Sequence, residues 1–141
     1  IHHIPYPIKF FYEMHRILKK NGKLIIFEPN SSLLFQIIAM ITKHEGYDFT
    51  IDPWSLEKPI IEEKHLWAGN MAASNLIFDN KILFKEKLGD KFFMIHHKYD
   101  ECLTFINSGG VYSKTIYVPL SNFFLKLIKI IDFQVHLDRS V

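Results

Sequence analysis

The stretch HRILKKNGKLIIFEP, residues 15–29, constrains the fold of this chain more than any other. Basic side chains from Arg16 onwards lie where a helix would end, and cations there complement the helix dipole. Asn21 and Gly22 follow, and both residue types tolerate a positive φ after a helix. The run from Leu24 to Phe27 has no polar alternation, which is typical of a strand buried on both faces. The stretch therefore predicts helix, tight turn and buried strand, the second half of an α/β crossover.

Further elements are predicted on both sides of this unit. Proline suits the first helical position, so a helix is expected to begin at Pro7, and apolar residues recur at helical spacing to Leu18. Asn30 or Ser31 is expected to cap a helix that runs from residue 33 to about residue 42. Helices are also predicted over residues 70–80, 81–89 (as a continuation or a separate helix), 100–110 and 119–133, with a strand over 91–99 and an ordered loop over 43–66.

Composition bounds the class of protein. The chain has 141 residues, of which 48% are apolar, enough for one domain with a core. A net charge of +2 with scattered Lys and Arg argues against a nucleic-acid partner. The longest apolar run, Leu33 to Ile41, is far shorter than a membrane span, and no signal-peptide pattern is visible, so we expect no transmembrane segment and a cytoplasmic location. The single cysteine, Cys102, excludes an intrachain disulfide and zinc sites built on paired cysteines.

Residues 1–30, IHHIPYPIKFFYEMHRILKKNGKLIIFEPN, resemble part of the class I S-adenosylmethionine-dependent methyltransferases, most of all the type 11-like group. In that family a His-containing turn follows the fourth strand, the next helix ends in a phrase like E..R.LKPGG, and the fifth strand ends in Glu-Pro. Lys20-Asn21 replaces the usual Pro-Gly. A weaker similarity reaches about residue 115 through HEGYDF, NMA and SGG. The matching positions in the strong part are His2, His3, Glu13, Arg16 to Lys19, Asn21, Gly22, Glu28 and Pro29.

The resemblance implies an α/β, three-layer, partial Rossmann-like fold with a helical and loop insert after the fifth strand. One incomplete domain would hold the end of the core (1–30), a substrate-cover insert with the sixth strand (31–115), and an amphipathic helix before a missing last strand (116–141). The family's Gly-rich cofactor loop and its ribose-binding acid have no counterpart in this chain. We therefore expect a chain truncated at both ends, with unpaired apolar strand edges that favour association.

The resemblance also implies a function. The full-length parent would transfer a methyl group from S-adenosylmethionine to a small-molecule or lipid-linked acceptor, whereas this chain alone is expected to be inactive. In-line displacement at a sulfonium methyl depends on proximity and alignment more than on strong acid–base help. No catalytic residue is therefore assigned from the sequence.

Four candidate site residues lie in the strongly matching part. The family places His2 and His3 where the fourth strand meets the cofactor, and the alternatives are a turn residue and a residue packed under the helix. Glu28 and Asn30 follow the fifth strand, on the side where α/β sheets bind ligands, and are expected to contact the substrate. The alternative for Glu28 is to cap the backbone amides of the next helix.

Four more substrate-binding candidates lie in the insert: His44, Glu45, Trp54 and Asn70. Aromatic side chains commonly line ligand pockets, although Trp54 can equally belong to the core. His44 and Glu45 form a polar cluster with Asp48. The cluster lacks the HExxH spacing of a zinc site, so a pocket wall or a solvated loop is favoured and no metal is expected.

A second hypothesis is that the chain is not an enzyme but a module that binds a membrane surface or a partner. The predicted helix over residues 120–133 has a broad apolar face with Lys126 and Lys129 opposite, and such helices can lie at a membrane interface or bind a partner. The same stripe would also pack against a sheet in an α/β domain, and two lysines are few for an anionic surface. The apolar residues are Leu120, Phe123, Phe124, Leu127, Ile128 and Ile131.

Overall fold

The computed structural model describes residues 1–42, 46–62 and 69–99. The chain divides into two compact units, residues 1–97 and residues 98–141. The described part of the first unit contains four helices, and none of them is long and apolar enough to cross a membrane. The predictions for residues 44 and 45 and for the helices at 100–110 and 120–133 lie outside the described residues. The four helices are α1 (Pro7–Ile17), α2 (Leu33–Thr42), α3 (Ala72–Phe78) and α4 (Lys81–Leu88).

Helix α1 begins at proline, as predicted, and ends because the next residue, Leu18, is extended with a ψ of 136°. The positive φ predicted near Asn21 is present, at 64°, but it lies in a separate turn and not at the helix end. The N–H of Gly22 closes that turn by donating to the carbonyl of Lys19 at 2.7 Å. After this turn the chain runs along the core, against which Leu24 and Ile26 pack.

Side-chain caps also determine where α2 and α4 begin. The hydroxyl of Ser32 accepts from the N–H of Phe35 at 3.2 Å, so Ser32 caps α2 in place of the predicted Asn30 or Ser31. Asn80 separates α3 from α4, and its side-chain oxygen accepts from the N–H of Leu83 at 2.9 Å. Helix α4 is therefore a separate helix, and it ends just before Gly89.

The predicted three-layer α/β, Rossmann-like fold is wrong for the described residues, which contain four helices, no strand and one isolated parallel bridge between Gly46 and Asn70. The run from Leu24 to Phe27 is not buried on both faces, since Ile25 is 88% and Phe27 86% exposed. A strand also needs a hydrogen-bonded neighbour. Across the described part of the chain, no backbone hydrogen bond reaches residues 23–27.

The two segments predicted as strands instead lie along the core without forming a sheet. Leu24 and Ile26 pack against the core while the side chains between them face outwards, which is the two-residue period of extended backbone. Phe92 and Met94 do the same at the other end of the unit. One face of each segment is therefore buried without a sheet.

The core is built where three helices meet. Phe11 from α1 is 1% exposed, and its ring lies edge-on to those of Phe78, Phe84 and Phe92 with centroids 6.0–6.3 Å apart. Burying one such side chain contributes about 1.5–3 kcal/mol. The buried residues of this cluster are Ile8, Phe11, Ile77, Phe84 and Leu88.

Candidate functional site

The structure brings together two candidate residues from distant parts of the sequence, His2 and Glu28. Nδ1 of the His2 ring contacts Oε2 of Glu28, and the backbone N–H of His2 donates to the same oxygen at 3.3 Å. The other carboxylate oxygen, Oε1, contacts the amino group of Ile1. The side chains of His2 and Glu28 are only 17% and 12% exposed. The pair is therefore an enclosed polar contact at the surface of the core.

Each partner is positioned by its neighbours in the chain. Glu28 is the last inward-facing residue of the alternation that begins at Leu24 and Ile26. His2 lies in a turn closed by the N–H of Ile4, and its carbonyl accepts from the N–H of Asn70 at 2.9 Å. The extended segment and the turn thus meet at a fixed point beside α3.

The surroundings favour the ionised carboxylate. Burial opposes ionisation of Glu28, but hydrogen bonds, led by the one from the His2 ring, outweigh it, so the pKa of Glu28 lies below its ordinary value of 4.5. At neutral pH the site therefore holds a carboxylate beside the ring of His2. The His3 ring lies next to that of His2, with the ring centroids 4.1 Å apart.

Helix α3 anchors the residues that follow Glu28. The side-chain oxygen of Asn75 accepts from the N–H of Ser31 at 2.8 Å, and its NH₂ donates to Asn30 Oδ1 at 2.7 Å. The hydroxyl of Ser74 donates to the carbonyl of Pro29 at 2.5 Å. Ser74 and Asn75 were not among the sequence candidates. Two polar residues in an otherwise apolar helical stretch were the available signal.

Two polar atoms beside this anchor are buried without a hydrogen-bond partner: the Nδ2 of Asn30 and the hydroxyl of Ser31. Buried polar groups are nearly always hydrogen-bonded in proteins, to protein or to water. Asn30 can donate at this position, and Ser31 can donate or accept. The chain next to Glu28 therefore offers two further polar groups to a small ligand or a water molecule.

Two other predicted residues have contacts of a different kind. The amide of Asn70 binds backbone, since its oxygen accepts from the N–H groups of Asp48 and Ala72 at 2.9 and 3.1 Å. Its NH₂ donates to the carbonyl of Asp48 at 3.2 Å. Trp54 packs against the core, with its ring centroid 6.3 Å from that of Phe84. Asn70 contacts the His2–Glu28 pair through its backbone, since its N–H donates to the carbonyl of His2 at 2.9 Å.

Two further kinds of site are a metal centre and a glycine turn that holds the cofactor. No group of three or more His, Cys, Asp or Glu side chains that could hold a metal ion lies within the described ranges. S-adenosylmethionine needs a glycine turn that lets backbone approach it. A Cβ atom on Gly22 or Gly89 would meet the carbonyl of Lys19 or Lys85, which belongs to the adjacent turn of the chain, so these glycines form tight turns and not a ligand cradle. Neither of these two turns therefore supplies the family's cofactor loop.

The His2–Glu28 arrangement has a definite chemical capacity. A carboxylate that accepts from Nδ1–H holds the imidazole in the tautomer whose basic atom is Nε2. An imidazole oriented in this way can take a proton from a hydroxyl or amine close to neutral pH. The pair is thus suited to act as a general base with its positioning carboxylate.

No protein-family model, curated protein or solved structure matches this chain. The resemblance of residues 1–30 to methyltransferases therefore stays a prediction from the sequence, and what the structure adds is the contact between two of the residues that carry it.

Proposed function

We propose that this chain supplies the acceptor side of an S-adenosylmethionine-dependent methyltransferase that acts on a small-molecule or lipid-linked acceptor. The observation that supports the proposal is the contact between His2 and Glu28. The sequence resemblance assigned both residues to a ligand edge without reference to each other. The cofactor would be bound mainly by residues other than the described ones, because the family's Gly-rich loop has no counterpart among these.

In this proposal His2 and Glu28 have separate roles. Glu28 is a positioning residue, because its carboxylate holds Nδ1 of the imidazole. His2 is the general base, and Nε2 takes the proton from the acceptor hydroxyl or amine as that atom becomes nucleophilic. The buried polar groups of Asn30 and Ser31 would hydrogen-bond the acceptor.

The test begins with the gene. The coding DNA upstream of the Ile1 codon is sequenced, and the complete reading frame is expressed. Methyl transfer from radiolabelled S-adenosylmethionine is then measured on a panel of hydroxyl and amine acceptors. A strand followed by a Gly-x-Gly turn and an acidic residue about 20 positions later is expected upstream.

Two variants of the complete protein test the assigned roles. His2→Asn keeps a donor near the Nδ1 position and removes the base, and we expect turnover to fall about 10²-fold or more with acceptor KM little changed. Glu28→Gln is expected to shift the pH–rate profile as well as lower kcat. His15→Asn, on the exposed face of α1, is the control and should leave turnover within about twofold. Full activity of His2→Asn, or an upstream region without the glycine turn, would refute the proposal.

A further inference from the structure

A groove of about 310 Å³ lies between α4 and residues 92–97, and none of its lining residues belongs to the His2–Glu28 site. Its volume is at the lower end of the range for small-molecule sites. All of its lining residues lie within the first compact unit. The groove is therefore a second candidate site with its own walls.

The floor of the groove is apolar and well supported. Phe84 and Phe92 line it, and both rings also lie edge-on to the buried ring of Phe11, with centroids 6.2 and 6.0 Å away. Met94 continues the floor and also packs on the core. A floor that is part of the core has a fixed shape, which lowers the entropic cost of binding.

The rim of the groove is cationic. Lys81 and Lys85 are four residues apart, so they lie on the same face of α4, and His96 and His97 lie on the opposite wall. Among the described residues, no carboxylate lines the groove. Glu86, the nearest acid along α4, pairs with Lys87 at 3.7 Å.

The charge of Lys81 also acts on another residue that lines the groove, His97. Burial is the largest cause that lowers the pKa of His97, Lys81 and His96 act in the same direction, and Asp79 opposes them. No carboxylate of the described residues lies within ion-pairing distance of either groove lysine, so their charge is available to a ligand. The apolar floor and the two lysines of the rim together are complementary to an anion that also has an apolar part.

We propose that this groove binds a small organic anion with an apolar body, such as a medium-chain or aryl carboxylate. The apolar body lies on Phe84 and Phe92, and the carboxylate lies beside Lys81 and Lys85. This inference does not depend on the proposed function, since the two sites share no residue.

The experiment compares two probes of equal length and different charge, octanoate and octanol. Each is titrated below its micellar concentration into the ¹⁵N-labelled full chain, and amide shifts are followed by NMR. We expect octanoate to shift the amides of residues 81–97 and to bind at least about fivefold more tightly than octanol. The double variant Lys81→Gln with Lys85→Gln should weaken octanoate about fivefold and leave octanol unchanged.

The control variant is Lys87→Gln, which removes one cation from the same helix outside the groove and should bind octanoate like the parent chain. Lys81 and Lys85 are exposed, and the circular dichroism melting curve of the double variant is compared with that of the parent to verify folding. Equal affinity for octanoate and octanol, shifts outside residues 81–97, or equal weakening by the control variant would each overturn the proposal. So would binding to phosphatidylglycerol vesicles with no response to octanoate.

Discussion

At the scale of single residues, two side chains of the same type can have different structural roles. Asn70 and Asn75 lie five positions apart, and both are buried. Asn70 holds the backbone around Asp48, whereas Asn75 holds the segment after Glu28 against α3. Glu28 differs from both, because its contribution to the stability of the fold depends on its charge.

The pH dependence of Glu28→Gln tests that charge. The folded-state pKa of Glu28 is below its ordinary value of 4.5, so the ionised carboxylate stabilises the fold above that pH and the contribution is lost as pH falls through the folded-state pKa. At pH 6 the variant should lose about 1–3 kcal/mol of unfolding free energy. Urea unfolding from pH 6 to pH 2 should show this difference shrinking towards zero. A difference that stays constant with pH would contradict the prediction.

Asn75→Ala tests the buried anchor. The change removes the acceptor of the Ser31 N–H and one donor to Asn30 Oδ1, and it leaves buried polar groups unpaired. We expect the unfolding free energy to fall by about 2–3 kcal/mol, measured by chemical denaturation. The control, Glu86→Ala on the exposed face of α4, should change it by about 0.5 kcal/mol or less. An equal loss of unfolding free energy in the two variants would contradict the role of Asn75 as an anchor.

At the scale of elements, local signals predicted the helices and did not predict the rest. Pro7 and Gly89 stand at the ends of helices for reasons contained in a few neighbouring residues. Strands require partners, and the apolar run from Leu24 to Phe27 carried no information about whether a partner is present. The anchor on Asn75 was missed for a related reason, since its partner Ser31 lies 44 positions away. At the site, the His2–Glu28 contact joins two residues that the resemblance had singled out. The only sequence signal for their support by α3 was the pair of polar residues Ser74 and Asn75 in an otherwise apolar stretch.

The cap of α4 gives the prediction at this scale. Asn80→Ala removes the acceptor for the N–H of Leu83 and should lower the unfolding free energy by about 1 kcal/mol. Asn80→Asp keeps a side-chain oxygen in the same place and adds a negative charge at a helix start, so it should match or exceed the parent chain in stability. Thermal unfolding of both variants distinguishes the loss of the capping hydrogen bond from other effects of replacing Asn80. Equal destabilisation by Ala and Asp would refute the role of the cap.

At the scale of the whole molecule, two segments of the described chain, residues 23–27 and 92–97, expose apolar side chains to an unusual extent. Ile25, Phe27, Phe93 and Ile95 are all more than half exposed. The backbone of residues 23–27 has no hydrogen-bond partner among the described residues. Exposed apolar side chains on an unpaired extended backbone favour pairing with another chain.

We therefore expect the chain to self-associate through residues 23–27. Hydrogen exchange measured by mass spectrometry should show fast exchange of these amides at low protein concentration and slower exchange at high concentration. The double variant Ile25→Lys with Phe27→Lys should remain monomeric in sedimentation velocity at concentrations where the parent associates. Leu33→Lys, a matched change of an exposed apolar residue elsewhere, is the control. A parent chain that stays monomeric at high concentration would contradict the prediction.

The alternation that runs from Leu24 to Glu28 also limits how the length of this segment can change. Because side chains of extended backbone switch faces at every residue, inserting one residue after Gly22 would turn Ile25 and Phe27 inwards or else draw Glu28 away from His2. Inserting two residues restores the original parity. Natural variation in the length of this connection should therefore come in even steps, and a single-codon deletion here should be as damaging as the loss of a core side chain.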